Sequence, residues 1–435
     1  MFGWRGRLLR VDLTDGAITN EFLAPKTVRE YLGGRGLGAF LHAEEVPEST
    51  APFSPENHLI FATGPLTGTL APNGGRYTVV TRTFPSGEIT PASISGKWGA
   101  ELKFAGFDAI IFEGKAKEPV YLWVKDGHAE LRSAAHLSGK AVAATTDALV
   151  KDTDPNAVVS CIGPAGENMV GCAIIASDYI SAAGGYGTGA VMGYKNLKAV
   201  VVRGTAGFRV ADRNQLLKSA MELRLWMKAN PIAAKGSFLH EAVLVADSLS
   251  WDPEPPALKH ARTRGCFGCA TSFSSFTYDE GKENLPLLAG STPDELSERL
   301  KEYRFFIDLG LDFAGAKAIL ASVGKGAEGT HSELAQTLAG GAELGAVQTA
   351  NNGQGVDRGP CIVAGYAIVP KVSAGNGQDK AMAELMAVLD SAGLCPFLAA
   401  GISVKTIAAL LRAATGVAFT QDEIVQAGQR ISRAF

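Results

Sequence analysis

The 435-residue chain carries 41 Lys and Arg against 44 Asp and Glu, a net charge of −3, with 46% hydrophobic and 20% charged residues. Such a chain is an ordinary globular protein of about two to four cores, and without a long basic run it argues against nucleic acid as the main partner. The most apolar late stretch, 385–404, is broken by Asp390, Gly393 and Pro396, so no membrane span is expected. No secretory leader is visible and the six cysteines suit a reducing compartment, so a cytoplasmic protein is expected.

Residues 1–205 predict a β-rich unit with short helices. Leu9, Val11 and Leu13 alternate ahead of a Thr14-Asp15-Gly16 turn, and the run 121–124 leads into Lys125-Asp126-Gly127; both are hairpin signals. Between them, β-branched and aromatic runs at 77–83 and 109–113 alternate with loops of Gly, Pro, Ser and Thr. Glycine loops let backbone N–H groups approach a ligand closely, and one here carries a cation, in Gly74-Gly75-Arg76. The pattern predicts a sheet surface that cradles a large anionic cofactor. It is neither a Walker loop nor a dinucleotide fingerprint, because both spacings are missing. Runs 158–162 and 199–202 predict buried strands.

Residues 206–435 predict a mainly helical region. Leu216, Leu217, Ala220, Leu223 and Met227 recur at helical spacing ahead of Pro231. The segment 252–256 reads as a stiff proline linker, and Thr292 to Glu295 as a capping box that opens a helix. Further helices are expected at 381–389 and 404–415, and Thr420 with Glu423 starts a last one.

Arg264-Gly-Cys266-Phe-Gly-Cys269 is the strongest local metal signal. Cysteines at i and i+3 in a glycine loop hold two corners of an iron–sulfur cluster, or ligate zinc, or stay as unligated thiols. The seven histidines show no ligand spacing and read as surface or packing residues. Taken alone, Asp390 reads as the end of a helix capped by Gly393.

Several long phrases carry a resemblance. Residues 2–13, Ser54-Pro-Glu-Asn57, Ile162-Gly-Pro-Ala-Gly-Glu-Asn168 and the run 189–199 resemble the N-terminal domain of the tungsten-containing aldehyde:ferredoxin oxidoreductases; beyond about residue 205 the likeness is patchy. The resemblance implies an α+β fold: an N-terminal double-sheet cofactor domain over 1–205, then a mainly helical region over 206–435, shortened relative to the family. It also implies a tungsten (or molybdenum) bis-pyranopterin with a bridging magnesium, an iron–sulfur cluster, and a ferredoxin-like carrier or full-length paralogous subunit as partner. A homo-oligomer is compatible with it.

By resemblance, Arg76 approaches the cofactor, Ser93 stands at an asparagine position near the magnesium, and Ala183 offers its backbone carbonyl. Asp390, Leu394 and Cys395 complete the motif D-x-x-G-L-C, with Asp390 facing a pterin; Leu311 and Asp312 belong to the parallel D-x-x-G-L-D motif, whose leading aspartate is Ile307 here. Cys266, Cys269 and Cys395 match cluster cysteines, and the third family cysteine is Phe273. Ser181 and Gly185 stand at arginine positions, Ile362 and Ala364 at those of a proton-transfer histidine and a lysine, and Lys301 and Arg304 replace an E-x-x-H motif. The segment between Asp312 and Arg358 is shorter than in the family. Two functions follow: tungstopterin-dependent oxidation of an aldehyde or related carbonyl, or a catalytically degenerate paralogue serving as structural subunit, assembly factor or cofactor carrier.

Overall fold

A computed structural model describes residues 1–84, 86–179, 181–183, 187–229, 261–264, 266–269, 274–279, 282–283, 308–311 and 377–435. Its first sheet holds β1 (Arg7–Asp12), β2 (Ile18–Phe22), β3 (Leu59–Thr63), β4 (Tyr77–Arg82), β5 (Ile89–Ile94) and β6 (Ala109–Glu113), in the order β2-β1-β6-β3-β4-β5. The second holds β7 (Val120–Lys125), β8 (His128–Ser133), β9 (Val158–Cys161), β10 (Ile175–Ser177), β11 (Ser181–Ala183) and β12 (Leu197–Arg203), in the order β11-β10-β9-β12-β7-β8. Each sheet has one parallel pair, β1 with β6 and β7 with β12, in an otherwise antiparallel ladder. The β7–β8 hairpin closes on Asp126 and Gly127, with φ of 46° and 89°, the paired positive values that a tight hairpin turn requires.

The helices are α1 (Pro25–Tyr31), α2 (Gly34–Glu45), α3 (Trp98–Ala105), α4 (Val142–Asp152), α5 (Pro164–Glu167), α6 (Thr188–Tyr194), α7 (Arg213–Ala229), α8 (Gly377–Ala392), α9 (Val404–Thr415) and α10 (Gln421–Ser432). The two sheets pack face to face: Leu9, Phe61, Val79 and Phe112 of the first meet Leu122, Val158, Val200 and Val202 of the second. On the first sheet's other face, Leu8, Ile60 and Ile111 join a core with Leu37, Leu216, Leu389, Leu410 and Ile424, which belong to helices from both ends of the chain. On the second sheet's outer face, Trp123, Val159 and Val201 pack with Val142 and Leu149 of α4. The fold is α+β, in four layers. Strand β1 departs from strict alternation because both its faces are covered, so Leu8 and Leu9 are each buried in a different core.

One expectation needs correction. Leu217 is exposed, whereas Leu216, Ala220, Leu223 and Met227 form the buried face of α7; one residue of slip turns a side chain by about 100° around a helix. The mainly helical second half also holds a small sheet that was not foreseen: β13 (Ala261–Arg264), β14 (Ser274–Asp279) and β15 (Lys282–Glu283) pair antiparallel on either side of the cysteine turn in sequence. The proposed linker at 252–256 and the capping box at Thr292 lie outside the described residues. The last helix does begin as expected, since Thr420 Oγ1 accepts from Glu423 N at 3.1 Å and Glu423 Oε2 accepts from Thr420 N at 2.8 Å. Among the described residues, no helix is long and apolar enough to cross a membrane.

Candidate cofactor site

Glycines decide how the C-terminal helices reach the sheet. A Cβ on Gly34 would lie 2.2 Å from the Asp390 carbonyl oxygen, and one on Gly64 would lie 2.1 Å from the Ala392 carbonyl carbon. Gly393, at φ +83°, ends α8 in the left-handed region and packs against Thr67. The glycines let the α8 backbone come close: Leu66 N donates to Ala392 O at 3.0 Å, and Gly36 N donates to the Ser391 side-chain Oγ at 2.9 Å. The end of α8, Asp390 to Cys395, is thereby seated on the loop that precedes β4.

That seating brings Asp390 to Arg76. Arg76 is 2% and Asp390 8% exposed, and Arg76 Nε lies 3.5 Å from Asp390 Oδ1. Arg76 Nη1 donates to Ser95 Oγ at 2.8 Å, and Thr67 Oγ1 donates to the Arg76 carbonyl at 2.8 Å. Arg76 Nε, Arg76 Nη2 and Asp390 Oδ1 are buried and have no hydrogen-bond partner among the described residues. Leaving a buried polar atom unsatisfied costs about 1–3 kcal/mol, and more for a charged group. Two donors and an acceptor held together in this way match a polar ligand that both donates and accepts. Arg76 is thus a buried residue and not a surface arginine.

The cysteines gather around the same loop. Asn73, at φ 59°, donates its N–H to Gly268 O at 2.9 Å and accepts from Cys395 N at 3.1 Å, so one residue ties the Cys266–Cys269 turn to Cys395. Phe267 N donates to Gly96 O at 3.0 Å, and Cys269 N to Cys266 O at 3.1 Å. A Cβ on Gly75 would lie 2.7 Å from Gly96 O and 3.0 Å from Phe267 O, so glycine is what lets the turn close over this loop. Burial, the neighbouring Cys269 and Asp178 push the Cys266 thiol up to about 11, while Arg76 and the Gly96 N–H act against them. Among the described residues, no three His, Cys, Asp or Glu side chains converge to hold a single metal ion. A cluster spreads its ligands around a larger body. The donor set fits one in part: Cys266, Cys269 and Cys395 surround one loop, and Phe273 lies outside the described residues.

The remaining expected residues lie on other elements. Ser93 is buried on β5 with its Oγ 2.9 Å from Thr78 Oγ1. Ala183 ends β11, paired with Ile175. Leu311 is buried and bridges to Ala173, and Leu394 is buried in the core beneath α8, donating its N–H to Leu389 O at 2.9 Å. Asp312 lies outside the described residues. The sequence reading missed Asn73, Ser95 and Thr67. Only Asn73 had a signal, as the first residue of an Asn-Gly-Gly turn.

Helix α8 and the turn that follows it thus close over the double-sheet unit and bring Asp390 and Cys395 to the loop of the buried Arg76. Residues 8–204 match the family model for the aldehyde ferredoxin oxidoreductase N-terminal domain, and residues 343–434 match the model for domains 2 and 3 of the same enzymes. The tungsten-containing aldehyde ferredoxin oxidoreductase of Pyrococcus furiosus is 31% identical over 537 aligned positions, covering 100% of this chain and 88% of that protein. The chain belongs to the aldehyde ferredoxin oxidoreductase family. The Pyrococcus abyssi protein of the same description is 48% identical over 237 residues, 54% of this chain but only 39% of that relative's length. Among solved structures, the active site complex BamBC of benzoyl coenzyme A reductase, with bound 1,5-dienoyl-CoA, superposes with a TM-score of 0.77 at 23% identity. That likeness covers 100% of this chain and 88% of the other, and concerns the fold.

Proposed function

We propose that this chain binds a tungsten (or molybdenum) bis-pyranopterin between Arg76 and Asp390 and oxidises an aldehyde or related carbonyl. Electrons would leave through an iron–sulfur cluster to a ferredoxin-like partner in the cytoplasm. The observation that carries this reading is a buried ion pair with spare hydrogen-bonding capacity: Arg76 Nε stands 3.5 Å from Asp390 Oδ1, and neither these atoms nor Arg76 Nη2 has a hydrogen-bond partner among the described residues. Arg76 would donate to the cofactor's oxygens, and Asp390 would accept from ring N–H groups. When bound, the pterin would supply dithiolene sulfurs for a metal that accepts electrons from the substrate. Cys266, Cys269 and Cys395 would hold the cluster. Ser93, engaged with Thr78, would act as an outer donor to a magnesium ion. The cradle of 1–205 and the helical part of 206–435 would form two units, with Ala183, Leu311 and Asp312 as further contacts.

Protein purified without oxygen, from a host supplied with tungstate and molybdate, should contain one of the two metals and release a fluorescent pterin on acid oxidation. Finding neither would overturn the reading. Catalytic degeneracy is the second reading, favoured by Ile362, Ala364 and Phe273 at the family's histidine, lysine and third-cysteine positions. A positioned acid–base group contributes about 10²–10⁴-fold to proton transfer. Dye-linked aldehyde oxidation by metal-loaded protein separates the two. Turnover in the ordinary range, about 1–10³ s⁻¹, excludes degeneracy, and no turnover at full metal content supports a carrier or structural role.

A further inference from the structure

Among the described residues, helix α7 buries one face and leaves the other without cover. Leu217, Met221 and Leu225 are 47%, 56% and 64% exposed. At about 100° per residue, a spacing of four lines them up as one stripe along the helix. They look away from the core that holds Leu216, Leu223 and Met227. Lys218, Arg224 and Lys228 are exposed along the same side, and the helix carries a single carboxylate, Glu222. The chain as a whole is slightly acidic, so this basic excess is local. Single exposed hydrophobes are common, but three in line with a cationic rim make an interaction patch.

The patch has an address. Arg224 Nη2 lies 3.5 Å from the carbonyl oxygen of Gly268, which sits between Cys266 and Cys269. The same carbonyl accepts from Asn73 N, so the outer face of α7 borders the cysteine turn and, through it, the loop that carries Arg76.

We propose that this face of α7 docks a small acidic iron–sulfur carrier protein, with Lys218, Arg224 and Lys228 steering it and the leucine–methionine stripe excluding water from the contact. Opposite charge speeds encounter and sets orientation, whereas an apolar centre sets how long the complex lasts. Docking here brings the carrier against the Cys266–Cys269 turn. The proposal rests on the reading that this turn belongs to the electron path. Its test needs no turnover, so failure of docking and absence of a pterin are separate results.

The experiment measures binding of the full chain to an acidic two-cluster ferredoxin by biolayer interferometry at low and high salt, with basic cytochrome c as the control. Wild type should bind the ferredoxin and not the cytochrome, with affinity falling steeply as salt rises. Lys218→Glu combined with Lys228→Glu should weaken binding about tenfold or more and flatten the salt dependence. Leu225→Ser should weaken it several-fold and leave the salt dependence intact. These side chains are exposed, so circular dichroism and thermal melts should match wild type. A wild type that does not bind at low salt, or variants that bind equally well, would overturn the proposal. So would a Leu225→Cys thiol that resists maleimide in the folded protein, which means that another part of the chain covers the stripe. Variants that abolish a homodimer yet still bind the carrier would also overturn it, assigning the face to a second copy.

Discussion

Asp108→Asn is expected to lower the stability of the chain by about 3–5 kcal/mol, because it strands a buried cation. Lys103 and Asp108 are fully buried, with Nζ 2.6 Å from Oδ1. The lysine also donates to Gly3 O at 2.8 Å, and the carboxylate accepts from Arg5 N at 3.0 Å and Gly6 N at 2.6 Å. Together these bonds fasten the segment before β1 to the turn between α3 and β6. Burial already depresses the Lys103 ammonium below its ordinary range, with Asp108 working against that shift. Once the counter-charge is gone, the lysine must either lose its proton or drag water inward. Urea melts of Asp108→Asn and of Lys103→Met with Asp108→Asn check the argument. The double variant should recover part of the loss, since breaking a buried pair is worse than replacing both partners by neutral groups. Equal melts for the single variant and wild type would mean that the pair is solvated after all.

The second large effect is expected at Gly64. Its Cβ position lies 2.1 Å from Ala392 C, 2.3 Å from Ala392 O and 2.3 Å from Gly393 N, all of them backbone atoms that no rotamer change can move aside. Overpacking of this kind costs about 3 kcal/mol or more where the neighbour cannot yield. Gly64→Ala should therefore push the end of α8 off the loop before β4, breaking the Leu66–Ala392 bond and separating Asp390 from Arg76. Two readouts should move together, a lower melting temperature and loss of bound pterin. Gly16→Ala is the control, because nothing lies within 4 Å of its Cβ position; its φ of +79° adds local strain far from the site. Loss of stability with the pterin retained would show that α8 is held by contacts other than this one.

Much of this architecture was legible before any coordinates. Strand β6 and helix α9 coincide with their expected runs, because each is an apolar segment of characteristic period bounded by turn or capping residues. The Asp126-Gly127 hairpin and the Thr420–Glu423 box were legible because their chemistry is local. The β13–β15 sheet was not. Ala261–Arg264 reads Ala-Arg-Thr-Arg, with no apolar alternation, and it becomes a strand through its pairing with β14. Arg76 and Asp390 were each singled out through resemblance, without any sign that they would meet. Their burial against one another depends on glycines at 34 and 64 that look like any other loop glycine. Ser95 and Thr67 fasten Arg76 from positions whose polarity in a serine- and threonine-rich stretch carries no special mark.

The most direct test of the central claim is a crystal structure of anaerobically purified, metal-loaded protein, together with its Arg76→Met variant. Density for a pterin hydrogen-bonded to Asp390 Oδ1 and to the free nitrogens of Arg76 is the expected result, with markedly lower pterin occupancy in the variant. A wild-type map with only water at these atoms, or with a pterin bound elsewhere in the chain, would contradict it.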